Sequence, residues 1–221
     1  MTTPIMSGAP PQAGEETPEL IAALRDYFVA TDKHEMSAAA VRLSDHDASL
    51  KSLEIDWLQV EYEFNRLFTG PGALQAPPYA SAYLENEPRL MGKPALEVRA
   101  LYRTLGLRVA DEGSIPDDHI AFELDALLAC HTEAEFSLRC IGDRPLQDNF
   151  VTMYRWFVGE HLARWIPPFM AAVRRHAHPQ SPTLAAANLL ESVLNTQKQS
   201  AGICGCFNHV SLQTEKEGDH E

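Results

Sequence analysis

An all-α fold, built as a single-domain multi-helix bundle, is what this sequence predicts. Three observations carry that prediction. Apolar residues recur at one-face helical spacing through most of the chain. Alternating strand patterns and tight hairpin turn pairs are nearly absent. Glycine and proline sit where the periodic stretches end, and there they stop helices. The chain has 221 residues, 45% of them hydrophobic, which is enough for one sizeable core.

Residues 1–15 hold Pro4, Gly8, Pro10, Pro11 and Gly14 with few large apolar groups, and should be a disordered tail. The helical domain then runs over 16–212. Leu20, Ile21, Leu24, Tyr27 and Phe28 form the first stripe. Leu53, Trp57, Val60, Phe64, Leu67 and Phe68 form a longer one, with Asp56, Gln59 and Glu63 on other faces. That helix should stop at Gly70-Pro71. A long irregular connection from about 70 to 95 follows, and such loops are often functional. Val98, Leu101, Tyr102 and Leu105 make the next stripe, closed by Gly106. A helix starting near Asp118 carries Ile120, Leu124, Leu127 and Leu128. The stripe Phe150, Tyr154, Phe157, Val158, His161, Leu162 and Trp165 runs to Pro167-Pro168, where a helix should end. Phe169–His176 and Leu184–Leu194 supply the last helices, and the basic run Arg174 to His178 is a solvated helix end. Gln213–Glu221 is a frayed acidic tail.

The net charge of -13 argues against nucleic-acid binding and favours basic partners, because complementary potential speeds and orients encounter. The first basic residue is Arg25, so no cationic leader is expected, and no apolar run reaches membrane-span length. The chain is therefore expected in the cytoplasm, with no stable membrane insertion. Four cysteines do not make a disulfide framework in a chain this long. Cys130 and Cys140 are expected as buried small hydrophobes. Cys204-Gly205-Cys206 with His209 is an incomplete metal set, so neither a metal nor another cofactor is expected.

Candidate chemistry centres on Pro116-Asp117-Asp118-His119, expected at an exposed helix start. Either aspartate suits a helix N-terminus, by capping or through the dipole. An acid/base pair of Asp118 and His119, or a metal set of Asp118, His119 and Glu123, are the catalytic alternatives. Neighbours in a helix point about 100° apart, which makes convergence of Asp118 and His119 on one small target difficult. A third possibility is recognition, with the acids facing a basic ligand. In the loop, Pro77 and Pro78 stiffen an extended backbone, and Tyr79 and Tyr83 present aromatic faces. They either line a groove for an apolar peptide or cover the core. Gly70-Pro71-Gly72 lacks the phosphate-loop pattern, and no Gly-x-Ser-x-Gly elbow occurs.

These residues resemble the TorD/DmsD family of cytoplasmic chaperones for molybdoenzymes. The resemblance rests on Glu61 to Gly72 running into Ala76 to Tyr83, then Tyr102-Arg103-Thr104-Leu105-Gly106-Leu107, then Pro116 to Leu124. A looser fourth part runs from Phe157 through His161 to Trp165, and the whole covers about 20–195. It implies an all-helical, TorD-like fold and no enzymatic activity. It implies binding of the twin-arginine signal peptide of a molybdopterin oxidoreductase precursor, held back from export until its cofactor is inserted. It implies signal-peptide contacts at Asp118, His119, Tyr79 and Gly106, to which their neighbours Tyr83, Asp117 and Glu123 are added as candidates. The family often has Trp where this chain has Tyr79. A monomer or a domain-swapped dimer hinged in the 70–95 connection is compatible with it. The alternative is a small helical metal-binding or hydrolytic protein using Asp118, His119 and Glu123, or Cys204 and Cys206.

Overall fold

A computed structural model describes residues 18–85, 92–107, 115–136 and 152–200, with the side chains of 52, 131–136 and 200 excepted. The expected tails, Cys140, the Cys204–His209 cluster and the stretch around Phe150 lie outside the described residues. Eight helices are described: α1 Pro18–Val29, α2 Lys33–Leu43, α3 Trp57–Phe64, α4 Ser81–Leu84, α5 Lys93–Thr104, α6 Ile120–Phe136, α7 whose main span is Ala163–His176, and α8 Pro182–Ser200. A 3₁₀ turn, Ala48–Ser52, precedes α3. No described helix is long and apolar enough to cross a membrane.

Helix α1 is the hub, packing on α2, α6 and α8. Its stripe of Leu20, Ile21, Leu24, Tyr27 and Phe28 is buried. Phe28 meets Phe68 and Phe169 edge-on at 5.7 and 5.9 Å, and Phe64 meets Phe68 at 4.8 Å. Edge-to-face pairs of this kind add about 0.5–1.5 kcal/mol each beyond the area they bury. The Tyr27 hydroxyl at the edge of this cluster is satisfied, lying 2.8 Å from Thr183 Oγ1. Side-chain caps start α2 and α3. Asp32 accepts the N–H groups of His34 and Glu35 at 2.7 and 2.9 Å, and Asp56 accepts those of Leu58 and Gln59.

Two elements differ from the periodic expectation. Both α3 and α7 contain a π turn, Asn65–Thr69 at the end of α3 and Phe157–Leu162 at the start of α7. A π turn shifts the helical phase, and here Leu67 and Phe68, and then Phe157, Val158, His161 and Leu162, all face inward. Helix α7 also continues through Pro167-Pro168 instead of ending there. Both prolines lie on its exposed side, where carbonyls deprived of their amide partners meet water, while Trp165, Ile166, Phe169 and Met170 stay buried on the other. The last helix is longer than Leu184–Leu194, since Thr183 and the Ser181 hydroxyl extend its start. Cys130 is buried on α6 as a free thiol, as expected.

Candidate functional site

The connection after α3 is a strap laid against the start of α6. Gly70 permits its departure. A Cβ there would meet Asn65 O at 2.7 Å, and its N–H donates to that carbonyl at 2.6 Å. The loop is then tied back to the π turn, with Gln75 N donating to Arg66 O and Ala76 N to Leu67 O. Pro77 and Pro78 hold the next residues extended. Pro78 O accepts the Ile120 N–H at 2.9 Å, and the Ala80 N–H donates to Asp118 O at 3.0 Å. These two bonds make an antiparallel bridge centred on Tyr79 and His119. The expected structureless connection is thus interrupted, first by this bridge and then by α4.

The aspartates are not at an exposed helix start. Asp117 and Asp118 are 2% and 0% exposed, and α6 begins two residues after Asp118. Burial is tolerated because each has a local partner. Asp117 Oδ2 pairs with Arg99 Nε on α5, and the Tyr102 hydroxyl donates to its carbonyl at 2.8 Å. Asp118 Oδ2 accepts the Ser81 N–H at 2.7 Å, so it caps α4 across the strap and not its own helix. Its Oδ1 is buried with no hydrogen-bond partner among the described residues. The cap of α6 is His119, whose Nδ1 accepts the Ala121 N–H at 3.2 Å. That bond uses the Nδ1 lone pair and fixes the neutral ring with its proton on Nε2. Burial pushes the His119 pKa down to about 4.

The remaining candidates separate into two groups. Tyr79 is half-buried, with its ring 5.3 Å from that of His119, and burial followed by the Asp118 charge raises its pKa. Tyr83 stacks on Trp165 at 6.0 Å and 24°, and its buried hydroxyl has no partner among the described residues. Both therefore belong to the strap. Gly106 ends α5 with φ +70. Its N–H donates to Arg103 O, and the Leu107 N–H donates to Tyr102 O at 2.8 Å, the paired bonds of a left-handed helix stop. Glu123 does not join Asp118 and His119. It points into the core, where Oε1 lies 2.6 Å from His161 Nε2 and Oε2 accepts Trp165 Nε1 at 2.9 Å.

Sequence reasoning missed this buried Glu123–His161–Trp165 set, as well as Arg99 and Tyr102 behind Asp117. The available signal was ionisable residues inside apolar stripes, Glu123 beside Ile120 and Leu124, and His161 beside Val158 and Leu162. Burial raises the Glu123 pKa. Burial also opposes a charged His161 ring, but the adjoining Glu123 carboxylate more than offsets it and holds the His161 pKa above its ordinary value. The pair keeps a proton between its two facing atoms. Among the described residues no group of three His, Cys, Asp or Glu side chains is placed to hold a metal. The Asp118, His119 and Glu123 set fails for a plain geometric reason, since the three side chains serve three different partners.

A cleft of about 390 Å³ lies elsewhere, between the segment entering α3 and the α7–α8 turn. None of Tyr79, Tyr83, Gly106, Asp117, Asp118, His119 and Glu123 lines it.

A family model described as nitrate reductase delta subunit matches residues 11–171. The chain is 31% identical over 156 residues to a chaperone protein TorD from Aliivibrio salmonicida, covering 70% of this chain and 62% of that one. It is 28% identical over 173 residues to a Tat proofreading chaperone DmsD from Salmonella typhi, covering 76% and 73%. A TorD chaperone from Photobacterium profundum is 31% identical over 121 residues, 55% of this chain and 54% of that one. The chain therefore spans little more than half the length of some of these relatives. Among solved structures, a candidate redox enzyme maturation protein from Archaeoglobus fulgidus superposes with TM-score 0.55 at 21% identity, covering 81% of this chain and 94% of that one. That likeness supports the helical fold.

Proposed function

We propose, starting from the fact that this chain belongs to the nitrate reductase delta subunit family, that it is a cytoplasmic maturation chaperone without chemistry of its own. It binds the twin-arginine signal peptide of a molybdopterin oxidoreductase precursor and delays export until that client's cofactor is in place. The names of the TorD and DmsD relatives support the chaperone role. One structural observation carries the choice of site: the strap lies across a fully buried Asp118 whose Oδ1 is unpartnered among the described residues, with half-buried Tyr79 and Tyr83 on the strap itself.

A twin-arginine leader has a cationic segment followed by an apolar one, so its binder needs acid beside an apolar surface. Burying the apolar segment contributes about 25 cal/mol per Å² before ordering costs, and this sets the affinity. The charge sets orientation and selectivity. Because Asp118 is buried, an arginine reaches Oδ1 only when the strap lifts, and strap aromatics then close over the apolar segment. Gly106 acts by ending α5, which keeps Tyr102 aligned on Asp117. Glu123 acts through Trp165, the platform under Tyr83.

The test is a calorimetric titration with a synthetic twin-arginine leader, comparing the natural chain with Asp118→Asn. Asparagine keeps an acceptor for the Ser81 N–H, so the strap stays latched. The variant should bind about tenfold more weakly, since a buried charge partner has been removed, and its salt dependence should flatten. An unchanged affinity and an unchanged salt slope would contradict the reading.

A further inference from the structure

The cleft by α3 has a chemistry that the strap does not use. Leu53, Ile55, Val60 and Pro182 supply its apolar lining. Its charges among the described residues are Glu54, Asp56 and Glu63, with no lysine or arginine among them. The described lining therefore supplies none of the basic partners that such acids usually take. His178 also lines it, with its Nδ1 accepting the Gln180 N–H at 3.3 Å. Glu63 is held in place rather than free to swing. One oxygen accepts the His178 N–H at 2.7 Å and the other accepts the Ser181 hydroxyl. Each carboxylate oxygen still has a lone pair to offer. Asp56 is likewise fixed by capping α3 through Oδ1. Apolar walls around fixed like charges focus a negative potential into the cleft.

We propose that this cleft takes an arginine or lysine side chain on an extended, apolar-flanked stretch of the client polypeptide, as a second contact separate from the strap. Charge complementarity selects a cation. The apolar walls select aliphatic neighbours on the same stretch. A volume of about 390 Å³ falls at the low end of ligand sites and admits one or two side chains, not a folded surface. The inference rests on the proposed function for the identity of the occupant as client polypeptide.

The test uses two probes on the full chain, followed by amide chemical shifts. The first is an acetylated pentapeptide alternating three leucines with two arginines, and the second is the twin-arginine leader. The pentapeptide should give saturable shifts at Ile55, Gln59, Glu63 and Ser181. Glu54→Lys, a change at an exposed position, should weaken it about fivefold, and Glu63→Gln should weaken it similarly. Glu160→Lys, an equal charge change at an exposed position outside the cleft, should leave it unchanged. Absence of saturable shifts, shifts confined to 76–85 and 116–123, or indifference to Glu54→Lys would overturn the second contact. Equal affinity for free arginine amide would overturn its polypeptide character. Failure of the leader alone to bind would instead sink the proposed function, so the two failures are distinguishable.

Discussion

His119 ties stability to pH with a definite sign. Its pKa is pushed down to about 4 by burial, from an ordinary 6.5. Between those values the unfolded chain takes up a proton that the folded chain refuses. Stability from this group is therefore full above pH 6.5 and is lost as pH falls towards 4, by about 3 kcal/mol in all. His161 works the other way: its raised pKa gives stability that is full below 6.5 and fades as pH rises through the raised value. Asparagine at 119 can place an oxygen where Nδ1 accepts the Ala121 N–H, yet it does not titrate. His119→Asn should therefore lose less stability than the natural chain between pH 6.5 and 4, as read from urea unfolding at several pH values. Parallel losses in the two proteins would assign the acid sensitivity elsewhere. At this scale the sequence revealed residue types but not directions. Asp118 and His119 were legible as a polar start to an apolar helix. That His119 caps α6 while Asp118 caps α4 follows from the strap bridge, a long-range pairing with no local signature.

At the scale of elements, helix ends were legible where glycine sets them. Gly106 was expected to close α5, and its φ of +70 is the backbone that non-glycine residues avoid. A Cβ there would meet nothing within 4 Å, so the cost of Gly106→Ala is conformational alone. The variant should lose about 1 kcal/mol by thermal or urea unfolding. It should bind the leader nearly as the natural chain does, because Gly106 reaches the site only indirectly, through the end of α5. A large loss of affinity at unchanged stability would make it a contact residue instead. The π turns were not legible, because each adds only one residue to a helical turn and apolar residues continue on both sides of it. The run through Pro167-Pro168 was misread for a related reason. Proline ends a helix when its neighbours need the lost hydrogen bond, and on the exposed side of α7 water replaces it.

At the scale of the molecule, the apolar periodicity was enough to specify the bundle, since each stripe can only be buried against another helix. α1 became the hub because it is apolar on a wide face and contacts α2, α6 and α8 together. The candidate site stood out in composition as an acid pair and a Pro-stiffened aromatic loop, but the burial of the acids did not. Arg99, the partner of Asp117, and the strap whose Ser81 N–H reaches Asp118 come from other parts of the chain. The central claim is that the leader binds by displacing and then reclosing this strap. Backbone hydrogen exchange with and without a twin-arginine leader tests it most directly. The amides of Ala80, Ser81 and Ile120, which hold the strap to α6, should exchange faster than those of α1 in the free protein and slow on leader binding. Leader binding that left exchange over 76–85 and 116–123 unchanged would contradict the account.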